Sequence, residues 1–214
     1  MRVIAVPVTD LSEAKTRLAP ILSPLERAAL TLAMLEDVLD ATTAVPGWDT
    51  WVVSPDGSVL EIAARRRVRP VPEEEPTLGG AVRQVEEEVE GAGGEALAVL
   101  LADTPLVTAQ VLGAALRTLG SVVLAPAADR RGTNLLLRRP PRAIPARFGA
   151  RSFRRHREEA RARDLPVAIV ERPELAFDLD VPGDILTLLR AGKPGRARQV
   201  CLELGLPERL VVRA

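Results

Sequence analysis

Ala96-Leu97-Ala98-Val99-Leu100-Leu101-Ala102-Asp103-Thr104-Pro105-Leu106-Val107 is the stretch on which the fold turns. Its first six residues are an apolar run of strand length without polar alternation, the pattern of a strand covered on both faces. A carboxylate then closes the run and a proline turns the chain, which holds Asp103 rigidly at the strand's carboxyl end. A hard oxygen ligand fixed there suits Mg²⁺, which binds through one or two carboxylates plus phosphate oxygens and water. A cap for the following helix, or a plain turn, uses the same residue type.

On either side the pattern repeats. Further apolar runs fall at residues 2–8, 50–54, 67–71 and 122–125, with helix-period stretches at 24–41, 58–65, 77–90 and 108–119, three opened by Ser or Thr and the first by Ser23 before Pro24. Strand and helix alternate, which predicts a mostly parallel sheet with right-handed crossovers and helices on both faces. Ligands of such doubly wound α/β sheets bind beyond the carboxyl ends of the strands, here after Val8 and Leu101. The second half is less regular, with strands expected at 134–138 and 167–170 around an arginine-rich helix at 151–164. No repeat or linker divides the 214 residues, so one domain spanning 1–214 is expected.

Composition narrows the function classes. Twenty-nine basic residues balance 29 acidic ones, so no overall field draws a polyanion or a membrane surface, and the absence of tyrosine leaves little for base stacking. Nucleic-acid and membrane roles are therefore not expected. Cys201 is the single cysteine and His156 the single histidine, which excludes an internal disulfide, a cysteine-built zinc site and mechanisms needing two imidazoles. With no secretion-signal pattern at the start and no apolar run of membrane-spanning length, a cytoplasmic protein is expected. G-x-S-x-G, P-loop and glycine-rich dinucleotide motifs are absent.

Four constellations carry candidate chemistry. In Thr9-Asp10-Leu11-Ser12-Glu13-Ala14-Lys15-Thr16-Arg17, Lys15 offers a point charge and Arg17 a bidentate fork to phosphates, although surface cations in a turn read the same way. Asp103 is the second. In Phe177-Asp178-Leu179-Asp180-Val181-Pro182-Gly183-Asp184, Asp178 and Asp180 fall on one side of an extended chain and attract a cation, with Asp184 placed to cap the next helix. Last come Asp129-Arg130-Arg131-Gly132-Thr133-Asn134 and Arg147-Phe148-Gly149-Ala150-Arg151-Ser152-Phe153-Arg154-Arg155-His156, where glycine, hydroxyl and arginine recur around Gly149 and Ser152. Most of these arginines also fit a solvated helix paired with Glu158 and Glu159, and His156 reads as a polar surface group.

Taken in order and spacing, A-K-T-R-L-A-P, A-D-T-P-L-V, D-R-R-G-T-N, R-F-G-A-R-S-F-R-R-H and D-L-D-V-P-G-D resemble the 2-phospho-L-lactate/phosphoenolpyruvate guanylyltransferases over nearly the whole chain. That resemblance implies a nucleotidyltransferase fold of the GT-A-like, Rossmann-like kind. It also implies transfer of GMP from GTP to a small phosphorylated carboxylic acid, with pyrophosphate released, in the making of coenzyme F-420. Lys15 and Arg17 would hold the GTP phosphates, Asp103 with Asp178 or Asp180 would hold Mg²⁺, and Thr133, Gly149 and Ser152 would cradle the acceptor. The chain departs from the family pattern at Thr9, Ala102 and Gly79, where lysine, glycine and asparagine are usual. A sugar transferase of the same fold or a catalytically silent nucleotide-binding paralog are the rival readings, and a homodimer is compatible with the sequence.

Overall fold

Strands β1 (Arg2–Pro7), β2 (Asp49–Ser54), β3 (Arg69–Pro72), β4 (Ala96–Leu100), β5 (Val122–Pro126), β6 (Thr133–Arg138) and β7 (Val167–Ile169) join in one sheet in the order β3-β2-β1-β4-β6-β5-β7. The structure, a computed structural model, describes residues 1–75 and 77–211. The helices are α1 (Pro24–Thr43), α2 (Gly57–Arg65), α3 (Leu78–Gly91), α4 (Ala109–Arg117), α5 (Ser152–Arg161), α6 (Pro173–Ala176), α7 (Pro182–Ala191), α8 (Arg196–Glu203) and α9 (Leu206–Val211), the last four following the final strand.

The two-residue period of the strands decides which helix covers which face. Ile4 and Val6 of β1 pack with Leu35 and Leu39 of α1 and Leu112 of α4, while Val3 and Ala5 face Val82, Val85 and Val89 of α3. Fully burying each of these valine, leucine and isoleucine side chains contributes about 1.5–3 kcal/mol relative to exposure. α1 is covered on its outer side as well, where Leu30 and Met34 meet Ile185, Leu188 and Cys201 of the C-terminal helices. Asp37 on that side accepts the N–H groups of Arg196 (2.7 Å) and Ala197 (2.9 Å), so a carboxylate of α1 satisfies the first turn of α8.

Helix starts follow local chemistry. Ser23 and Glu26 form a reciprocal capping box on α1, and Thr77 and Thr108 accept N–H groups three residues on at α3 and α4. At α2 the cap is Asp56, which accepts from Ser58 and Val59, and not the serine expected from sequence. The arginine-rich helix is shorter than the expected 151–164, because Arg151 (φ 57°) and Asp164 (φ 54°) take left-handed backbone that no helix continues through. The third strand likewise starts at Arg69 and not at Arg67, whose φ is 56°.

The expected mostly parallel sheet is present, with one reversal. β1 is parallel to β2 and β4, β2 to β3, and β5 to β7, but β6 enters between β4 and β5 antiparallel to both. Arg138 of β6 lies fully buried, paired with Glu86 of α3 and donating to the Ile144 carbonyl at 3.1 Å. Burial pulls its pKa down, and Glu86 works against that pull. Among the described residues no helix is long and apolar enough to cross a membrane.

Candidate functional site

The carboxyl ends of β1, β2, β3 and β4 open into a cavity of about 330 Å³ whose lining includes Lys15, Arg17, Asp103 and Asp180. Three of these four interlock. The Lys15 ammonium donates to Asp103 Oδ2 and Asp180 Oδ1, both at 2.7 Å, and Arg17 stands 3.6 Å from the other oxygen of Asp180. Burial disfavours charge on Lys15, but Asp103 and Asp180 outweigh it and its pKa lies above the ordinary lysine value. The ammonium is thus held charged under all ordinary conditions.

Each partner is placed by its element. Asp103 lies just past β4, and its carbonyl accepts the Leu179 N–H at 3.0 Å, which ties the 177–181 segment alongside. Asp184 Oδ2 accepts the N–H groups of Asp180 (2.8 Å) and Val181 (2.7 Å), so the expected capping aspartate also fixes Asp180. Lys15 sits in left-handed backbone, φ 51° and ψ 41°, which costs a side-chain-bearing residue about 1 kcal/mol or more. Buried Arg27 of α1 holds the turn by donating from Nε to the Ala14 carbonyl at 3.1 Å.

Asp103 Oδ1 is buried and has no hydrogen-bond partner. Asp178 lies beside the pair and accepts from Asn134 Nδ2 at 3.3 Å; burial first and the Asp103 charge second push its pKa up to about 6. An orphaned carboxylate oxygen next to a destabilised carboxylate fits a hard cation. No group of three or more acidic, histidine or cysteine side chains stands at metal-binding spacing among the described residues. A cation here would have few protein oxygens to draw on.

Thr133, Gly149 and Ser152 do not line this cavity. They gather where the start of β6 meets the start of α5. Ser152 is buried and donates its N–H to the Gly149 carbonyl at 3.1 Å, with Gly149 at φ 92°. Asn134, one residue from Thr133, reaches Asp178, which like them does not line the cavity but stands two residues from Asp180, which does. Of the departures from the family pattern, Thr9 and Ala102 line the cavity while Gly79 does not, and a Cβ added at Gly79 meets nothing within 4 Å.

His156 is not a surface group. Phe153, His156 and Ala160 form the buried face of α5, and the arginines turn outward. The Arg147 N–H donates to His156 Nε2 at 2.8 Å, which leaves the ring proton on Nδ1, 3.1 Å from Thr133 Oγ1. The neutral ring thereby links β6 to the segment carrying Gly149. Burial and then the Arg138 charge lower its pKa from 6.5 to about 3. The unfolded chain takes up a proton below about pH 6.5 that the folded chain refuses until about pH 3, so this group's stability contribution is present above pH 6.5 and lost as pH falls. Between pH 7 and 5 the loss is about 2 kcal/mol. Urea unfolding of the parent and His156→Gln at both pH values checks this: the parent is expected to lose about 2 kcal/mol more than the variant, and equal losses would contradict a buried neutral imidazole.

Comparison with known proteins places the chain in a family. The family described as "Guanylyl transferase CofC like" matches residues 1–209. A phosphoenolpyruvate guanylyltransferase of Sphaerobacter thermophilus is 41% identical over 86% of this chain and 90% of its own. A 3-phospho-D-glycerate guanylyltransferase of Phenylobacterium zucineum is 38% identical over 89% of this chain and 91% of its own. The crystal structure of a candidate nucleotide-diphospho-sugar transferase from Desulfovibrio desulfuricans G20 superposes with a TM-score of 0.81 at 18% identity, covering 98% of this chain and 99% of the other, a likeness of fold alone. On a match spanning nearly every residue, and on relatives aligned along most of their length, the chain belongs to the CofC-like guanylyl transferases.

Proposed function

We propose that the protein transfers GMP from GTP to phosphoenolpyruvate or 2-phospho-L-lactate and releases pyrophosphate, in the cytoplasm, as a step toward coenzyme F-420. The observation that carries the reading is the Lys15 ammonium bridging Asp103 and Asp180 at 2.7 Å each, in strained backbone, at the carboxyl ends of the central strands. A fully screened surface pair gains little from such geometry; a site that must meet a polyanionic ligand gains a charge already in place.

In the proposed reaction a phosphate oxygen of the acceptor attacks the α-phosphorus of GTP in line. The new P–O bond forms as the bond to the bridging oxygen of the β-phosphate breaks, and pyrophosphate leaves with that electron pair. The acceptor phosphate is anionic at neutral pH, so no general base is needed and the buried, neutral His156 has no proton to move. Lys15 and Arg17 neutralise charge on the phosphates, while Thr133, Gly149 and Ser152 orient the acceptor. Asp103 with Asp178 or Asp180 would hold Mg²⁺, which when bound polarises the phosphoryl oxygens.

Pyrophosphate release from GTP with phosphoenolpyruvate, 2-phospho-L-lactate and 3-phosphoglycerate in turn tests the reading. Release with phosphoenolpyruvate or 2-phospho-L-lactate and none without acceptor supports it; release with 3-phosphoglycerate alone would keep guanylyl transfer and overturn the acceptor, and release of a nucleoside diphosphate from a nucleotide sugar instead would assign a sugar transferase.

A further inference from the structure

The sheet order lays out a row along the carboxyl edge: Glu73 after β3, Pro55 after β2, Val8 after β1 and Asp103 after β4. At roughly 4.8 Å per strand the row spans about 14 Å, long enough to seat a nucleotide with its α-phosphate at one end and its base at the other. The Asp103 end holds the charges already described. The Glu73 end is different in kind: Pro55, Leu78 and Ala81 supply apolar wall, and the backbone there is pinned by the Glu73 N–H donating to the Ser54 carbonyl at 3.0 Å.

The carboxylates lining the cavity divide by occupation. Asp103 and Asp180 hold Lys15, Asp10 accepts both the N–H and the hydroxyl of Ser12, and Glu13 is exposed on the loop. Glu73 is half-buried at the apolar end. Among the common bases, guanine alone presents two adjacent N–H donors, N1–H and the 2-amino group, on its pairing edge. Those two donors match the two oxygens of a carboxylate. Adenine offers an acceptor at N1, cytosine an acceptor at N3, and uracil flanks its one donor with carbonyl oxygens that repel a carboxylate.

We infer that Glu73 is the base-reading residue: its carboxylate accepts guanine N1–H and the 2-amino group while Pro55, Leu78 and Ala81 pack against the ring. The assignment rests on the guanylyl-transfer reading for its ligand and adds the residue that selects it. Burial raises the Glu73 pKa, opposed by the Thr77 N–H, so the carboxylate is partly stripped of water and gains from a ligand with two donors. It also explains how Gly79, which presents no side chain to the cavity, is compatible with guanine selection.

The test is equilibrium binding of GTP, ITP and ATP to the parent and to Glu73→Gln, read by competition with a fluorescent GTP analogue. ITP lacks only the 2-amino group. A charged acceptor for that group gives the parent about a tenfold to hundredfold preference for GTP over ITP. In Glu73→Gln the preference is expected to shrink to within about threefold, because GTP loses more than ITP does. Equal weakening of GTP and ITP would show that Glu73 only shapes the β3–α3 turn, and an unchanged preference would place the base elsewhere; either overturns the assignment. Thermal unfolding of the variant accompanies the binding curves, and a Glu73→Asp variant, which keeps the charge, is expected to retain a GTP preference of tenfold or more. Because binding is measured without turnover, a parent that reads guanine but releases no pyrophosphate would defeat the reaction and leave the base assignment standing.

Discussion

Asp103→Asn is expected to lower the rate of pyrophosphate release by about 10³-fold or more, with an unfolding temperature within a few degrees of the parent. The substitution keeps the shape of the side chain and removes its charge. Charge on Asp103 serves two ends: Oδ2 holds the Lys15 ammonium, and in the proposed reaction Oδ1, buried without a hydrogen-bond partner, would take the cation. Stability should change little, because Lys15 retains Asp180 and because Oδ1 has no hydrogen bond to lose. Steady-state assays at saturating GTP and acceptor, with the Mg²⁺ concentration varied, check the prediction. A variant within tenfold of the parent would remove Asp103 from the reacting centre.

The second large effect is expected at Lys15. Lys15→Met keeps most of the side-chain length and leaves Asp103, Asp178 and Asp180 within reach of one another's charge, with exposed Arg17 beside Asp180. The site then repels the phosphates it must bind. Turnover is expected to fall by about 10²- to 10³-fold, the cost of removing one preorganised charge from a transition state that spreads negative charge over phosphoryl oxygens. Lys15→Arg should not rescue it beyond about a tenth of parent activity, since a planar fork cannot sit between Asp103 Oδ2 and Asp180 Oδ1 as a compact ammonium does. A Lys15→Gly control separates strain from charge: with φ at 51° it is expected to be about 1 kcal/mol more stable than Lys15→Ala in urea unfolding, yet equally inactive.

The residues that made the fold readable are those whose role is local. Continuous apolar runs marked β1, β2, β4 and β5, and Ser23, Thr77 and Thr108 marked helix starts because a cap needs only the next three residues. Strand direction is not a local property. Thr133-Asn134-Leu135-Leu136-Leu137-Arg138 reads equally well in either sense, and its antiparallel insertion between β4 and β5 depends on what the sheet already holds on each side. Beyond the helix that Asp184 opens, α8 and α9 carry no such local signal for a related reason: Ala197, Cys201 and Leu206 share a core cluster with Leu30 and Met34 of α1, far back in the chain.

The candidate site divides the same way. Lys15, Arg17, Asp103 and Asp180 were visible as charges at the ends of strands, and the fold brings them into one cavity. Glu73 gave no signal, since it is one of three consecutive glutamates and only the position of β3 at the sheet edge turns it toward the nucleotide-sized cavity. His156 misled because its neighbours in sequence are arginines; the helix period, carried through Phe153 and Ala160, was the available clue that it points inward.

The central claim is that the α-phosphorus of GTP is where the bond forms. The most direct measurement uses two samples of GTP, one labelled at the α-phosphate and one at the γ-phosphate, each incubated with the protein, Mg²⁺ and phosphoenolpyruvate. Guanylyl transfer predicts that the α-label passes into a new compound containing the acid and the γ-label into pyrophosphate, at equal rates. An α-label that stays in free GDP or GMP, with no acid-linked product, would contradict it.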